Sequence, residues 1–235
     1  MVLDETCFFP EEGGQTPDCG VLGGLCVRDV QIQDGVIRHL LDGPLDVGTM
    51  VQGAVDWKHR FNNMQQHSGE HIFSGLVHKH YGYENVGFHL SNQIVTMDFD
   101  GPLTREQVEE LEYKVNEAIV ANVPIVAHYP DAEALKTLEY RSKKELEGAV
   151  RIVTVEGYDV CACCAPHVAR TGELGSFRVM SVQNYKGGVR ISFLCGYRAL
   201  EAFREKAQII EALMGVFTCG QDLLLCQLQK QKDAL

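Results

Sequence analysis

The chain has 235 residues, 45% hydrophobic and 23% charged, with a formal net charge of −11. That balance supports a folded core, excludes a disordered chain and argues against general nucleic-acid affinity. The charge is uneven: residues 186–235 carry seven Lys/Arg against five Asp/Glu, so a local nucleic-acid patch is compatible with the acidic whole. No run of about 18 apolar residues reads as a membrane span. The start, MVLDETCFFPEEGG, lacks the basic-then-apolar order of a signal peptide. A cytoplasmic chain with no membrane partner is the expectation. Nine cysteines without a secretory signal read as reduced thiols, some of them binding metal.

The first 60 residues read as strands and turns. CVRDVQIQ and GVIRHLL flank Asp34-Gly35, a hairpin pair. MVQGAVDW continues the strand character, and glycines at 13, 14, 20, 23 and 24 punctuate tight loops. A helix is expected from residue 63 to about 80, with Met64, Ile72 and Leu76 on one side. GFHLSNQIVTMDFD reads as a hairpin turning at Ser91-Asn92. Thr104, with Gln107 three residues on, opens a helix to about Asn122 whose stripe is Val108, Leu111, Val115 and Ile119. DAEALKTL is a shorter helix. VRIVTVEG, SFRVMSVQN and GVRISFLCG read as strands, and the chain is helical from Arg198, interrupted at Cys219-Gly220. The fold class expected is α+β: an antiparallel-sheet-rich domain with packed helices over 1–197, then a C-terminal helical arm over 198–235. Leu223, Leu224, Cys226 and Leu228 leave the arm apolar surface, to be packed on the domain or used in a homodimer through the C-terminal helices.

The chemistry concentrates in two places. In MQQHSGEHIFSGL, His67 and His71 stand four apart, which on a helix puts them on one face about 6 Å apart. In VCACCAPHVARTGELG, Cys163 and His167 add a thiolate and a third imidazole, a donor set suited to Zn2+ over magnesium or calcium. Cys161 and Cys164 are rivals of Cys163, and strand alternation does not decide among them. His-x-x-Glu-His is also the inverzincin protease order, with Glu70 as general base and Glu145 or Glu147 as a further ligand. That reading leaves Cys163 and His167 unexplained. The favoured role for Glu70 is to orient a ligand imidazole.

The segments TCFFPEEGGQTPDCG, MQQHSGEHIFSGL, FHLSNQIVTMDFDGPLTREQVEELEYKVNEAIVANVPI and VCACCAPHVARTGELGSFRV, in this order, resemble the editing domain of alanyl-tRNA synthetase. They look most like its free-standing relatives, the alanyl-tRNA editing (trans-editing deacylase) proteins. Threonyl-tRNA synthetase carries a related domain, and the Pro-Glu-x-Gly-Gly-Gln stretch favours the alanyl branch. The resemblance reaches up to the arm, and a His-x3-His and a Cys-x3-His separated by about ninety residues are its specific motifs. It implies a zinc-dependent deacylase that hydrolyses the ester of serine or glycine on tRNA for alanine. It maps zinc ligands onto His67, His71, Cys163 and His167, and the aminoacyl pocket onto Gly13, Gly14 and Gln15 with Thr6 nearby. Arg190 falls in the family's Gly-Val-Arg stretch, near the tRNA end.

Such an activity has a physical rationale. One methylene is worth only about 1–3 kcal/mol, so a synthetic site that accepts alanine discriminates weakly against glycine, and an apolar pocket rejects serine poorly. An editing site that hydrogen-bonds the serine hydroxyl leaves its own groups unpaired with alanine. Three departures from the family pattern stand out. The chain begins almost at the glycine-rich loop, as though lacking its first strands; Glu12 replaces a glycine; and Ala165-Pro166 replaces the common Gly-Thr.

Overall fold

The computed structural model describes residues 1–142 and 148–234, and the chain divides into Met1–Gly196 and a second unit from Tyr197 onward. In the first unit a small sheet comes first: β1 (Gly20–Leu22), β2 (Leu25–Gln33), β3 (Val36–Leu41) and β4 (Gly53–Val55), in the order β3-β2-β1-β4. The β2–β3 hairpin turns at Asp34-Gly35 as its sequence dictates. Phe8, Leu22, Val27 and Val30 form this sheet's own buried cluster.

Helix α1 (Trp57–Tyr81) follows, starting earlier than the expected residue 63. Asp56 supplies the reason: its side chain accepts from His59 N as an N-cap, which ends the strand at Val55 and turns the next residues into helix. β5 (Asn85–Leu90) and β6 (Val95–Phe99) form the anticipated hairpin. α2 (Arg105–Ala121) opens with the Thr104/Gln107 capping box and buries Val108, Leu111, Val115 and Ile119. The remaining elements are β7 (Ile125–His128), α3 (Ala132–Thr137), β8 (Ile152–Val155), β9 (Asp159–Ala162), a 3-10 turn at Thr171–Leu174, β10 (Phe177–Tyr185) and β11 (Gly188–Cys195). β7 was not foreseen; half-exposed on three of its four residues, it offers little hydrophobic pattern.

The central sheet is β10-β11-β6-β5 and a third is β7-β8-β9; among the described residues the named strands pair antiparallel. The main core joins α1, α2 and the central sheet, with Phe73 fully buried and stacked on Phe177 at 5.5 Å. The fold class is therefore the expected α+β, ending in C-terminal helices. α4 (Gly196–Phe217) starts on the last residue of the first unit, and the second unit holds the rest of it, a 3-10 turn at Gln221–Leu223 and α5 (Leu224–Asp233). Among the described residues no single helix is long and apolar enough to cross a membrane; α4 and the last segment, bent by 77°, pass only as a pair, by length and composition.

Helix α1 is buried on every side from Gln65 to Val77, although that stretch includes two Gln, two His, two Ser and a Glu. Gln66 shows how such a helix is held: its amide accepts from Cys195 N at 2.7 Å and donates to Cys195 O at 2.9 Å, locking α1 to the end of β11. Replacing Phe73 by Ala should cost about 3–5 kcal/mol, read by urea unfolding, because the ring leaves a void among Phe99 and Phe177.

Candidate metal centre

Side chains of His67, His71, Cys163 and His167 place one donor atom each within 4.8 Å of one another. Two come from α1 and two from the loop after β9. His67 Nε2 lies 3.5 Å and His167 Nε2 3.4 Å from Cys163 Sγ. The outward nitrogens are engaged elsewhere. His67 Nδ1 meets Gln15 Oε1 at 3.0 Å, and His167 Nδ1 meets Ser68 Oγ at 3.0 Å. His71 Nδ1 is 2.9 Å from Asp159 Oδ2. Fixing one ring nitrogen in this way leaves the other for a metal.

Electrostatics separates the three clustered cysteines. Burial alone drives the Cys163 thiol up, but the charge of His67 and hydrogen bonds from His167, His67 and His71 outweigh it and hold the thiol far below its ordinary range. Burial pushes Cys161 up, against His71 and Arg141. Cys164 is pushed up to about 12 by partial burial and the Glu12 carboxylate. Cys163 is thus the thiolate of the three. Burial and the neighbouring His71 charge hold His167 down at about 4, so its imidazole is neutral. Burial opposes the charge on His71, yet the sulfurs and Asp159 together raise its pKa well above the usual value. Three imidazoles and a thiolate are a donor set that fits a borderline-soft metal.

The glycine-rich loop forms one wall. Gly14 O accepts from Leu90 N at 2.8 Å, and a Cβ on Gly14 would lie 2.4 Å from Phe88 O, so only glycine lets the loop close on β5. Phe88 in turn packs against the His67 ring at 4.8 Å. Gln15, 1% exposed, has its Nε2 buried without a partner while its Oε1 faces His67.

The other anticipated residues have partners of their own. The Thr6 hydroxyl meets His39 Nε2 at 2.8 Å and accepts from Phe8 N, in the packing of the small sheet, so the structure does not bring it to the cluster. Arg190 donates twice to Asp98 at 2.6 Å and stacks over Tyr185, on the central sheet. Glu70 accepts from Ser74 and Asn85, while its other oxygen is 3.9 Å from His71 Nε2. Glu145 and Glu147 lie outside the described residues. Ser68, Asp159 and Arg141 were not singled out from the sequence. Asp159 carried a signal: it alternates with Cys161 on the inward face of a strand, where an acid requires a partner.

Fold and donors define a domain class. Residues 150–192, which hold Cys163, His167 and Arg190, match the family model described as threonyl and alanyl tRNA synthetase second additional domain. The particular resemblance is to alanyl-tRNA editing proteins. The chain is 30% identical over 225 residues to alanyl-tRNA editing protein Aarsd1 of Mus musculus (94% of this chain, 55% of that protein). It is 34% identical over 217 residues to alanyl-tRNA editing protein AlaX-L of Pyrococcus horikoshii (87% and 53%). It is also 32% identical to an alanine–tRNA ligase of Ignicoccus hospitalis, over all of this chain and 27% of that one. The chain spans about half the length of the curated editing proteins it matches. These comparisons bear out the resemblance carried by the motifs.

In the metal-stripped protein, iodoacetamide at about pH 6 should alkylate Cys163 ahead of the other eight thiols, because a thiol held low is already thiolate there while ordinary thiols are protonated. Peptide mass mapping reads the order, and added zinc should suppress the Cys163 adduct.

Proposed function

We propose that the chain hydrolyses mischarged aminoacyl-tRNA, with seryl- or glycyl-tRNA for alanine as substrate, and uses Zn2+ held by His67, His71, Cys163 and His167. The observation that carries this is the four-donor cluster walled by the Gly13-Gly14-Gln15 loop. In the reaction water adds to the ester carbonyl carbon, the bond to the ribose oxygen breaks, and that oxygen leaves with a proton taken from the water. Zinc held by these four residues would supply positive charge beside the aminoacyl ester and would position the attacking water; no side chain is assigned as the catalytic group. Gln15 is an available donor at the cluster through its unpartnered Nε2. With serine its hydrogen bond is made; with alanine the amide stays unpaired, at a cost of about 1–3 kcal/mol. The Arg190 side chain is 37% exposed and Lys186 sits over the Tyr185 ring, which supports a place for tRNA phosphate on the central sheet.

The protease alternative finds no support in the relatives named above, which carry tRNA-related names. Deacylation assays with seryl-, glycyl- and alanyl-tRNA for alanine, with and without chelator, test the reading. Seryl-tRNA should be cleaved and alanyl-tRNA spared; glycine also lacks the hydroxyl that Gln15 would meet, so cleavage of glycyl-tRNA as fast as seryl-tRNA would show that Gln15 is not what discriminates. Cys163→Ala or His167→Ala should remove both zinc and at least about 100-fold of the rate, as losses of metal-site machinery do. Full activity in zinc-free protein overturns it, and zinc binding without hydrolysis favours an inactive tRNA-binding module. A homodimer through the C-terminal helices belongs to the same proposal, supported by exposed Phe203, Ile209, Val216 and Leu225. Sedimentation should then show twice the chain mass of 26.1 kDa.

A further inference from the structure

Of the three rings in the cluster, His71 alone is faced on its outward nitrogen by a full charge. Its Nδ1 lies 2.9 Å from Asp159 Oδ2, with both side chains about fully buried. Beyond this contact with the carboxylate, Nδ1 has no partner. Asp159 is itself gripped at two points by Arg141, Nε to Oδ1 at 2.7 Å and Nη2 to Oδ2 at 2.9 Å. Arg141 is fixed in turn through its backbone: its N donates to Val160 O and its O accepts from Ala162 N, both at 2.9 Å. The ion pair is therefore mounted on the strand that leads directly to Cys163.

Helix α1 is shaped to receive it. Gly75 lies one turn beyond His71 on the same face. A Cβ there would stand 2.3 Å from Tyr158 O and 2.7 Å from Asp159 Cβ, so any other residue would push β9 and its carboxylate away from the ring. Asp159, His71 and Cys161 also bring donor atoms within 4.8 Å, but the Arg141 cation already occupies both carboxylate oxygens, so that trio is a support and not a second metal site.

We propose that Arg141 and Asp159 are positioning residues for metal binding: Arg141 fixes the carboxylate, and the carboxylate fixes His71 Nδ1 so that Nε2 is the atom presented to the ion. This rests on the metal reading of the four-donor cluster. A purely structural salt bridge would stabilise the fold without any effect on how the metal is held.

Two double variants separate these roles, because removing both charges leaves no unpaired buried ion. Arg141→Met with Asp159→Leu removes the acceptor for Nδ1; Arg141→Met with Asp159→Asn retains an oxygen there. Zinc affinity, measured by competition with a chelating dye, should fall roughly 10–100-fold in the Leu variant and recover most of that loss in the Asn variant. The visible spectrum of the cobalt-substituted protein should change in the Leu variant and resemble the parent in the Asn variant. Equal affinities in both doubles, whether high or low, overturn the proposal. So does 15N-detected imidazole NMR of the unaltered, zinc-loaded chain if His71 coordinates through Nδ1, a measurement that needs no variant to fold. Absence of zinc binding in the unaltered chain sinks the metal reading itself, and the proposal with it; unchanged zinc binding in the doubles sinks only the proposal.

Discussion

A stretch of helix, Gln65–Val77 of α1, buried on all sides yet rich in polar side chains, is the constraint from which the rest of the first unit follows. A buried amide, hydroxyl or carboxylate without a partner costs on the order of 1–3 kcal/mol, so each such group on α1 requires an answering group elsewhere. The answers come from separate parts of the chain. Gln65 donates to Glu173 O, Gln66 clamps Cys195, Ser68 receives Val168 N, Ser74 and Asn85 share Glu70, and Gln15 meets His67. These bonds dock the glycine-rich loop, the central sheet and the β9 loop onto one helix. The four-donor cluster lies where the loop and the β9 segment meet α1, so the same bonds that satisfy the helix also align the donors.

Charge within that centre is arranged in opposition to burial. Desolvation is the largest influence on Cys163, His71 and Asp159, and in each case it disfavours the charged form. Each is nevertheless held charged, since the thiolate, the imidazolium and the carboxylate face one another and Arg141 completes the set. A divalent cation bound there would take the place of the His71 proton beside the thiolate, and its binding would be linked to proton release.

The sequence was legible where chemistry is local. The His67/His71 spacing, the Cys163/His167 spacing, the Thr104 capping box and the Asp34-Gly35 turn all act over a few residues, and each appears as expected. It was illegible where partners are distant. Asp159 and Arg141 are 18 residues apart in sequence and each is 70 or more from His71, along the chain, in segments with no motif. Thr6 lay near the glycine-rich loop in sequence, but the small sheet draws its hydroxyl to His39, 33 residues away. Arg190 sits in a recognisable stretch, but cross-strand register sets it opposite Asp98, and that pairing decides where its guanidinium is spent. The start of α1 was missed because Gly53–Val55 does form a strand, and only the Asp56 cap marks where it stops.

Glu70 illustrates how the same local motif changes meaning with its surroundings. In His-Ser-Gly-Glu-His it is the residue that suggests proteolysis. A general base for peptide hydrolysis must exchange protons with a water that reaches it, whereas Glu70 is 1% exposed and one carboxylate oxygen already accepts from both Ser74 and Asn85. Asn85 begins β5, the strand that also carries Phe88 against His67. Glu70 therefore ties the donor-bearing turn of α1 to the strand that walls the site. Its negative charge, 3.9 Å from His71 Nε2, adds to the field that favours a cation there. The acid of the motif holds the wall beside the four donors, and the oxygen shared by Ser74 and Asn85 is committed in a way that proton transfer to substrate would have to undo.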